Sequence, residues 1–412
     1  MNFGFLYTHP PGESLGSINR MRSLINGLVI YGNNCFIFTP YEYNEDWGPR
    51  VKFINIARGF SKIVSPIYAT IKKKIYLISR KILHYRLLSH YTILQPITLD
   101  LLNKRLASAL IDKLNRESFH LDYMIGVQEL AGLSLTQVKH ELGCPIILDL
   151  HSYWPEELVE HRVIKRFSHI YIRLAERIKE IISAAEFVIT VSEALNYFLK
   201  KQFSDPKKLN IETIYTGNAP ILKRPKDRGT PPKVINSGMI VQRSNIELFL
   251  NSLPYVLEKF PDTQIYITKK GEKLKEIKKL AKKKNLNINF YWKETHSEFL
   301  ELLSECNVGV VTSTHDWPRR LGFVTKVFDY FSVGLPIVAN DIGGWTKIIT
   351  EEKVGLLSSD EPKDLADKII KFIENPEMNY EYGLRGIELL NTKFNIKNIA
   401  KKFLDSIERL KK

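Results

Sequence analysis

An alternation that runs through this chain twice narrows the folds open to it. Short apolar runs are separated by stretches of helical periodicity: "NFGFLYT", "CFIFTP", "YMIGV" from Tyr123 to Val127, "PIILDLH" from Pro145 to His151 and "FVITVSE" from Phe187 to Glu193. The first helical stretch, "INRMRSLINGLVIYG", closes on Gly32. Apolar runs that alternate with helices predict parallel sheets with crossover helices. The pattern stops near Asn218. The segment "APILKRPKDRGTPPK", Ala219 to Lys233, then carries four prolines, a glycine and five basic residues with no period, which reads as a linker. Beyond it the alternation restarts with "KVINSGM", "QIYITKKG", "INFYW", "VGVVTS" and "PIVAN" as strands and "NIELFLNSLPYVLEKF", "EKLKEIKKLAKKKN", "HSEFLELLSEC" and Thr325 to Val333 among the helices. The expected architecture is α/β: two Rossmann-like doubly wound domains facing across a cleft, over 1–218 and 234–394, with a linker over 219–233 and a C-terminal helix over 395–412. Such folds bind ligands at the C-terminal ends of their strands.

The 412-residue length also suits two domains, and 25% charged residues with 44% apolar ones is an ordinary soluble balance. Cys35, Cys144 and Cys306 are too scattered for a disulfide framework or a zinc site, which points to a reducing compartment. The N-terminus lacks the basic and apolar regions of a secretory signal, and no window approaches a membrane span. The expected location is cytoplasmic, peripheral on the inner face of a membrane.

That last clause comes from the charge. The net charge of +15 calls for an acidic partner, and it is unevenly spread. Between Trp47 and Leu99 there is no Asp or Glu, while Arg50, Lys52, Arg58, Lys62, Lys72, Lys73, Lys74, Arg80, Lys81 and Arg86 are all basic. Within this 50–90 segment Ile71, Ile75, Ile78, Ile82 and Tyr85 form a helical apolar stripe. The pattern fits a helix lying on anionic lipid and equally a surface helix packed on its own domain. No nucleic-acid-binding motif accompanies the charge, so nucleic acid is not the expected partner.

Four segments in order, "DLHSYWPEEL", "AAEFVITVSEAL", "IETIYTGNAP" and "TKVFDYFSVGLPIVA", resemble the glycosyltransferases of family 4, which have the GT-B fold; the resemblance covers nearly the whole chain. It implies an acceptor-side N-terminal domain and a C-terminal domain that binds the nucleotide sugar. It also implies a role for Asp329, five residues before Gly334: its carboxylate would accept from both ribose hydroxyls. Family members commonly carry glutamate there. Lys326, on the same helical face, and the backbone amides near Thr325 would take the donor diphosphate. Arg243 in "SGMIVQRSN" would neutralise the same diphosphate as the glycosidic bond breaks. His151 would hydrogen-bond the donor sugar as the catalytic residue. Gly12 and Gly16 would let loop backbone approach donor or acceptor. Two positions depart from the family pattern: Met239 stands where an arginine is usual and Leu321 where a first carboxylate is usual. Lys269 or Lys270 would replace the first contact, and Asp316 or backbone amides the second. Trp292 reads either as a base-stacking residue or as core.

The resemblance therefore implies a retaining glycosyltransferase that moves a sugar from a nucleotide diphosphate sugar to an acceptor, a glycan or lipid-linked molecule. No metal or other cofactor is expected, since no Asp-x-Asp motif is present. The alternatives are a nucleotide-sugar 2-epimerase on the same fold, and a catalytically inactive family member that serves as a binding protein.

Overall fold

The apolar runs become strands of two all-parallel sheets. The computed structural model describes residues 1–9, 15–56, 95–160, 163–293 and 295–410, divided between a first unit, Met1–Tyr215 with Ile399–Lys412, and a second, Thr216–Asn398. The first sheet contains β1 (Asn2–Leu6), β2 (Asn34–Thr39), β3 (Val51–Asn55), β4 (Tyr123–Val127), β5 (Ile146–Leu150), β6 (Phe187–Thr190) and β7 (Ile211–Thr213), in the order β3-β2-β1-β4-β5-β6-β7. The second contains β8 (Lys233–Asn236), β9 (Gln264–Thr268), β10 (Ile288–Tyr291), β11 (Val308–Val311), β12 (Ile337–Asn340) and β13 (Gly355–Ser358), in the order β10-β9-β8-β11-β12-β13. In each sheet the order reverses once, between β1 and β4 and between β8 and β11. Ligands of doubly wound sheets sit outside the strand ends at such reversals.

Burial explains the runs. Every residue of β4 and β5 is buried, as parallel strands covered by helices on both faces must be. In the first unit Phe3, Phe5, Ile125, Ile147 and Phe187 share a core with Phe403 and Ile407 of the helix Ile396–Arg409. Each such side chain contributes on the order of 1.5–3 kcal/mol through burial. That helix is also tied down by Lys402 Nζ, which donates to the Thr213 carbonyl at 2.8 Å, and by Ser406 Oγ, which donates to Glu212 Oε2 at 2.8 Å. The chain thus returns to the first unit after completing the second.

Three local features differ from the sequence reading. The start of the basic 50–90 segment is strand β3, paired in parallel with β2, and Arg50 donates to the Gly32 carbonyl at 2.9 Å. The helix expected over 71–85 lies outside the described residues. The linker is docked rather than free: Ile221 and Leu222 N–H groups donate to the Ser332 carbonyl at 2.9 and 3.0 Å, and Arg228 NH2 donates to the Gly334 carbonyl at 2.6 Å. Strand β13 and the helix Pro376–Asn391 were not anticipated. The latter contains Gly383 and Gly386, which read as breakers in sequence. At Gly383 a Cβ would come within 2.1 Å of the Gly334 carbonyl oxygen, so close packing keeps glycine there inside a helix.

Candidate active site

In the second unit the reversal point is built by one short helix, Lys326–Ser332, working on the turn that follows β8. Val327, Phe328, Tyr330 and Phe331 are buried and fix the helix in the core. Tyr330 reaches back to the turn: its hydroxyl accepts from the Ser237 N–H at 3.0 Å and lies 2.8 Å from Ser237 Oγ. The Lys326 ammonium donates to the Ser237 carbonyl. Next in the turn, Gly238 has φ +95°, and a Cβ there would meet Lys326 Cε at 3.1 Å and Nζ at 3.2 Å. Glycine is therefore needed twice over, for the backbone and for the lysine.

Asp329 lies one turn beyond Lys326. Its Oδ1 is 3.5 Å from His296 Nε2, at the start of the helix His296–Glu305, and its side chain is 23% exposed. Lys326 and Asp329 do not pair with each other. Burial pushes the Asp329 carboxyl up to about 7. Burial, with the nearby Arg319 charge second, brings the Lys326 ammonium down to about 7. Both shifts follow from removing a charge from water without a full counter-charge. Opposed shifts of this kind, on one helix at a strand-order reversal, make this helix a candidate functional site.

Other expected residues gather beside this helix. Arg243 lies in the single turn Gln242–Ser244, and its carbonyl accepts from the Thr314 N–H at 3.2 Å. Asp316 caps the helix Trp317–Leu321: its Oδ1 accepts from the Arg319 N–H at 3.0 Å and its Oδ2 from the Thr314 hydroxyl. The Thr325 side chain caps nothing, and its carbonyl accepts from the Phe328 N–H at 3.0 Å. Leu321 is buried, at 3% exposure. Met239 is exposed, and so is Trp292, whose ring carries Lys270 Nζ at 4.4 Å from its centroid. Trp292 is thus not core, and Lys270 is engaged by it. Among the described residues no three His, Cys, Asp or Glu side chains converge to hold a metal ion.

The first unit places His151 just past β5, at the end of a polar chain that starts inside the strand. Asp149, a carboxylate in an otherwise apolar buried strand, requires a partner. Arg20 supplies it, with Nε at 2.8 Å and NH2 at 2.7 Å from Asp149 Oδ1. Burial alone would raise the Asp149 carboxyl, but the Arg20 and His151 side chains outweigh it and hold it down to about 2. His151 Nε2 lies 3.0 Å from Asp149 Oδ2, and its Nδ1 lies 3.3 Å from Gln128 Nε2. Gln128 Oε1 in turn meets His9 Nε2. Nδ1 of His151 thus has a hydrogen-bond partner, whereas Nε2 lies within ion-pair distance of Asp149 without an aligned hydrogen bond. Gly16 is exposed in the first turn of the helix Leu15–Ile30, and Gly12 lies outside the described residues.

Residues 219–388 match the family model described as glycosyl transferases group 1. An uncharacterized glycosyltransferase of Methanocaldococcus jannaschii is 24% identical over 254 residues, which are 61% of this chain and 65% of that protein. The poly(ribitol-phosphate) alpha-N-acetylglucosaminyltransferase of Staphylococcus aureus is 25% identical over 222 residues, 53% of this chain and 43% of that protein. The matches thus span less than two thirds of the relatives' own lengths. Among solved structures, Anabaena HepE in complex with UDP and glucose superposes with a TM-score of 0.67 at 14% identity, covering 99% of this chain and 100% of that one. The second unit is a group 1 glycosyltransferase domain, and the chain has the GT-B fold. The segment that led to this family, Thr325 to Ala339, lies within the matched residues.

Sequence reasoning missed Gln128, His9, Arg20 and His296. Only Arg20 had a legible signal, since a charge inside "PIILDLH" announces a buried counter-charge somewhere. His9 and Gln128 each follow a strand flanking the reversal, which needs the strand order to be recognised.

Proposed function

We propose that this chain transfers a sugar from a nucleoside diphosphate sugar to an acceptor, with the second unit holding the nucleoside diphosphate. The observation that carries this is the placement of Lys326 and Asp329 on successive turns of one core-anchored helix, against the Ser237–Gly238 turn where the strand order reverses. In this reading the Asp329 carboxylate accepts from the two ribose hydroxyls. Lys326, Arg243 and the amides near Thr325 meet the diphosphate and stabilise it as the leaving group. Asp316, which caps its helix, serves the sugar end through that loop. His151, with Gly12 and Gly16 as close-approach loop positions, serves the transferred sugar from the first unit, and transfer retains the anomeric configuration.

The S. aureus relative acts on poly(ribitol-phosphate) and HepE was solved with UDP, so uridine diphosphate sugars are the first donors to test. A net charge of +15 favours an anionic acceptor: a phosphate-bearing glycan or a polyisoprenyl-phosphate-linked one. The protein is incubated with each donor, with and without such acceptors, and the products are resolved. Acceptor-dependent release of nucleoside diphosphate is expected, and it should survive chelation by EDTA because protein cations carry the diphosphate. Conversion of the donor without acceptor would instead establish an epimerase. Failure of every pair, or loss on chelation, would contradict this reading.

A further inference from the structure

Gln128 stands where the first sheet reverses its strand order, between two imidazoles, and no motif singled it out. Its φ is +67°, in the left-handed region that glycine favours, although it carries a full side chain. The adjacent Glu129 is buried and its Oε1 accepts from the Trp154 N–H at 3.0 Å, which fastens the β4 exit to the β5 exit. Gln128 is thereby held against His151 rather than left to turn into solvent.

These neighbours favour one set of hydrogen-bond roles along the chain. Asp149 is ionised and lies 3.0 Å from His151 Nε2, and although the two are not aligned as a hydrogen bond, its charge favours a proton on that nitrogen. The amide nitrogen of Gln128 only donates, so His151 Nδ1 at 3.3 Å is bare. The amide oxygen faces His9 Nε2, and a proton on that nitrogen would hold the amide in this orientation. His9 is itself anchored, because the Tyr43 hydroxyl donates to its carbonyl at 2.8 Å.

We propose that Gln128 is a positioning residue for transfer, orienting the His151 ring and presenting its Nδ1 as a hydrogen-bond acceptor. A sugar hydroxyl that donates to this nitrogen replaces the 3.3 Å amide bond. The role rests on the reading that His151 serves the transferred sugar.

The test uses nitrogen-15 histidine spectra of the whole chain together with turnover. The wild type should show the His151 proton on Nε2, with Nδ1 as the acceptor. Gln128→Glu puts acceptor oxygens at both amide positions and should give a doubly protonated ring. Gln128→Leu keeps the bulk but removes the donor, and Gln128→Gly removes it while suiting the backbone. Both should lower turnover roughly ten- to a hundredfold, as expected for a misplaced group, with little change in nucleoside diphosphate affinity. Circular dichroism shows whether each variant is folded, and the glycine variant covers failure of the leucine one. An unchanged His151 spectrum in Gln128→Glu, or wild-type turnover in the folded variants, overturns the proposal. If the wild type itself transfers nothing, the role in transfer falls with the functional reading, and the spectra still report whether Gln128 sets the ring.

Discussion

Asp329 and Lys326 carry the account at the scale of single residues, and their shifted titration gives them opposite signatures. The Asp329 carboxyl is held up at about 7, and ribose hydroxyls donate to its ionised form, so donor affinity should fall as the pH drops below 7. The Lys326 ammonium is held down at about 7, and a diphosphate favours its charged form, so affinity should fall as the pH rises above 7. Titration with a nucleoside diphosphate sugar should therefore give a bell centred near 7, with limbs as steep as about tenfold per pH unit. Asp329→Asn should lose the acid limb and Lys326→Met the alkaline one. A flat profile would contradict both assignments. Stability moves the other way. Because folding raises the Asp329 pKa, the folded state binds the proton more tightly, and the stability this gives is lost as the pH climbs through 7. Asp329→Asn should thus raise the melting temperature above pH 7 and leave it unchanged in acid. A variant that melts lower above pH 7 would mean that the carboxylate is satisfied in the free protein. The aspartate was legible in sequence because a carboxylate fell at a fixed distance from Gly334. Its company with His296 was not, since that residue lies on a helix distant in sequence.

At the scale of elements, the strands were legible wherever apolar runs met turn residues, and illegible where tertiary packing overruled local signals. Strand β3 hides in "VKFIN", whose neighbouring basic residues drew the eye, and it is specified by parallel pairing with β2. The helix Pro376–Asn391 was hidden by its glycines, which Gly334 and Phe331 crowd. Gly334 was read as a donor-site landmark, and its own geometry explains why it is glycine: φ is +66°, and a Cβ would lie 2.9 Å from Pro225 Cγ of the docked linker. Gly334→Ala should cost about 1–3 kcal/mol of stability in chemical denaturation, from backbone strain and crowding together. Arg20→Met is the counterpart in the first unit. It leaves Asp149 charged and buried, where loss of one partner costs about 3–5 kcal/mol, and it should also free the His151 ring. An Arg20→Met protein as stable as wild type would mean that the relay does not hold the strand exit.

For the whole molecule, two repeats of one alternation foretold two doubly wound sheets. The return of the chain at Ile399 into the first core was not foretold, because an amphipathic helix does not announce which core it covers. The basic residues from Arg58 to Arg86 lie outside the described residues, and among the described ones no helix is long and apolar enough to cross a membrane. If that segment docks the protein on anionic lipid, binding to anionic vesicles should weaken with salt, and Lys72, Lys73 and Lys74 changed to glutamine should release the protein. Equal binding by that variant would sink the dock. Whether the helix Lys326–Ser332 holds a nucleoside diphosphate through Asp329 can be decided by calorimetric titration of the wild type, Asp329→Asn and Asp329→Glu with nucleoside diphosphates. A charge-assisted hydrogen bond contributes roughly 1.5–3 kcal/mol, so the asparagine variant should bind about ten- to a hundredfold more weakly while remaining folded, and the glutamate variant should retain most of the affinity. Wild-type affinity in Asp329→Asn would show that the carboxylate does not hold the ribose, and the assignment of this helix to the donor site would fall with it.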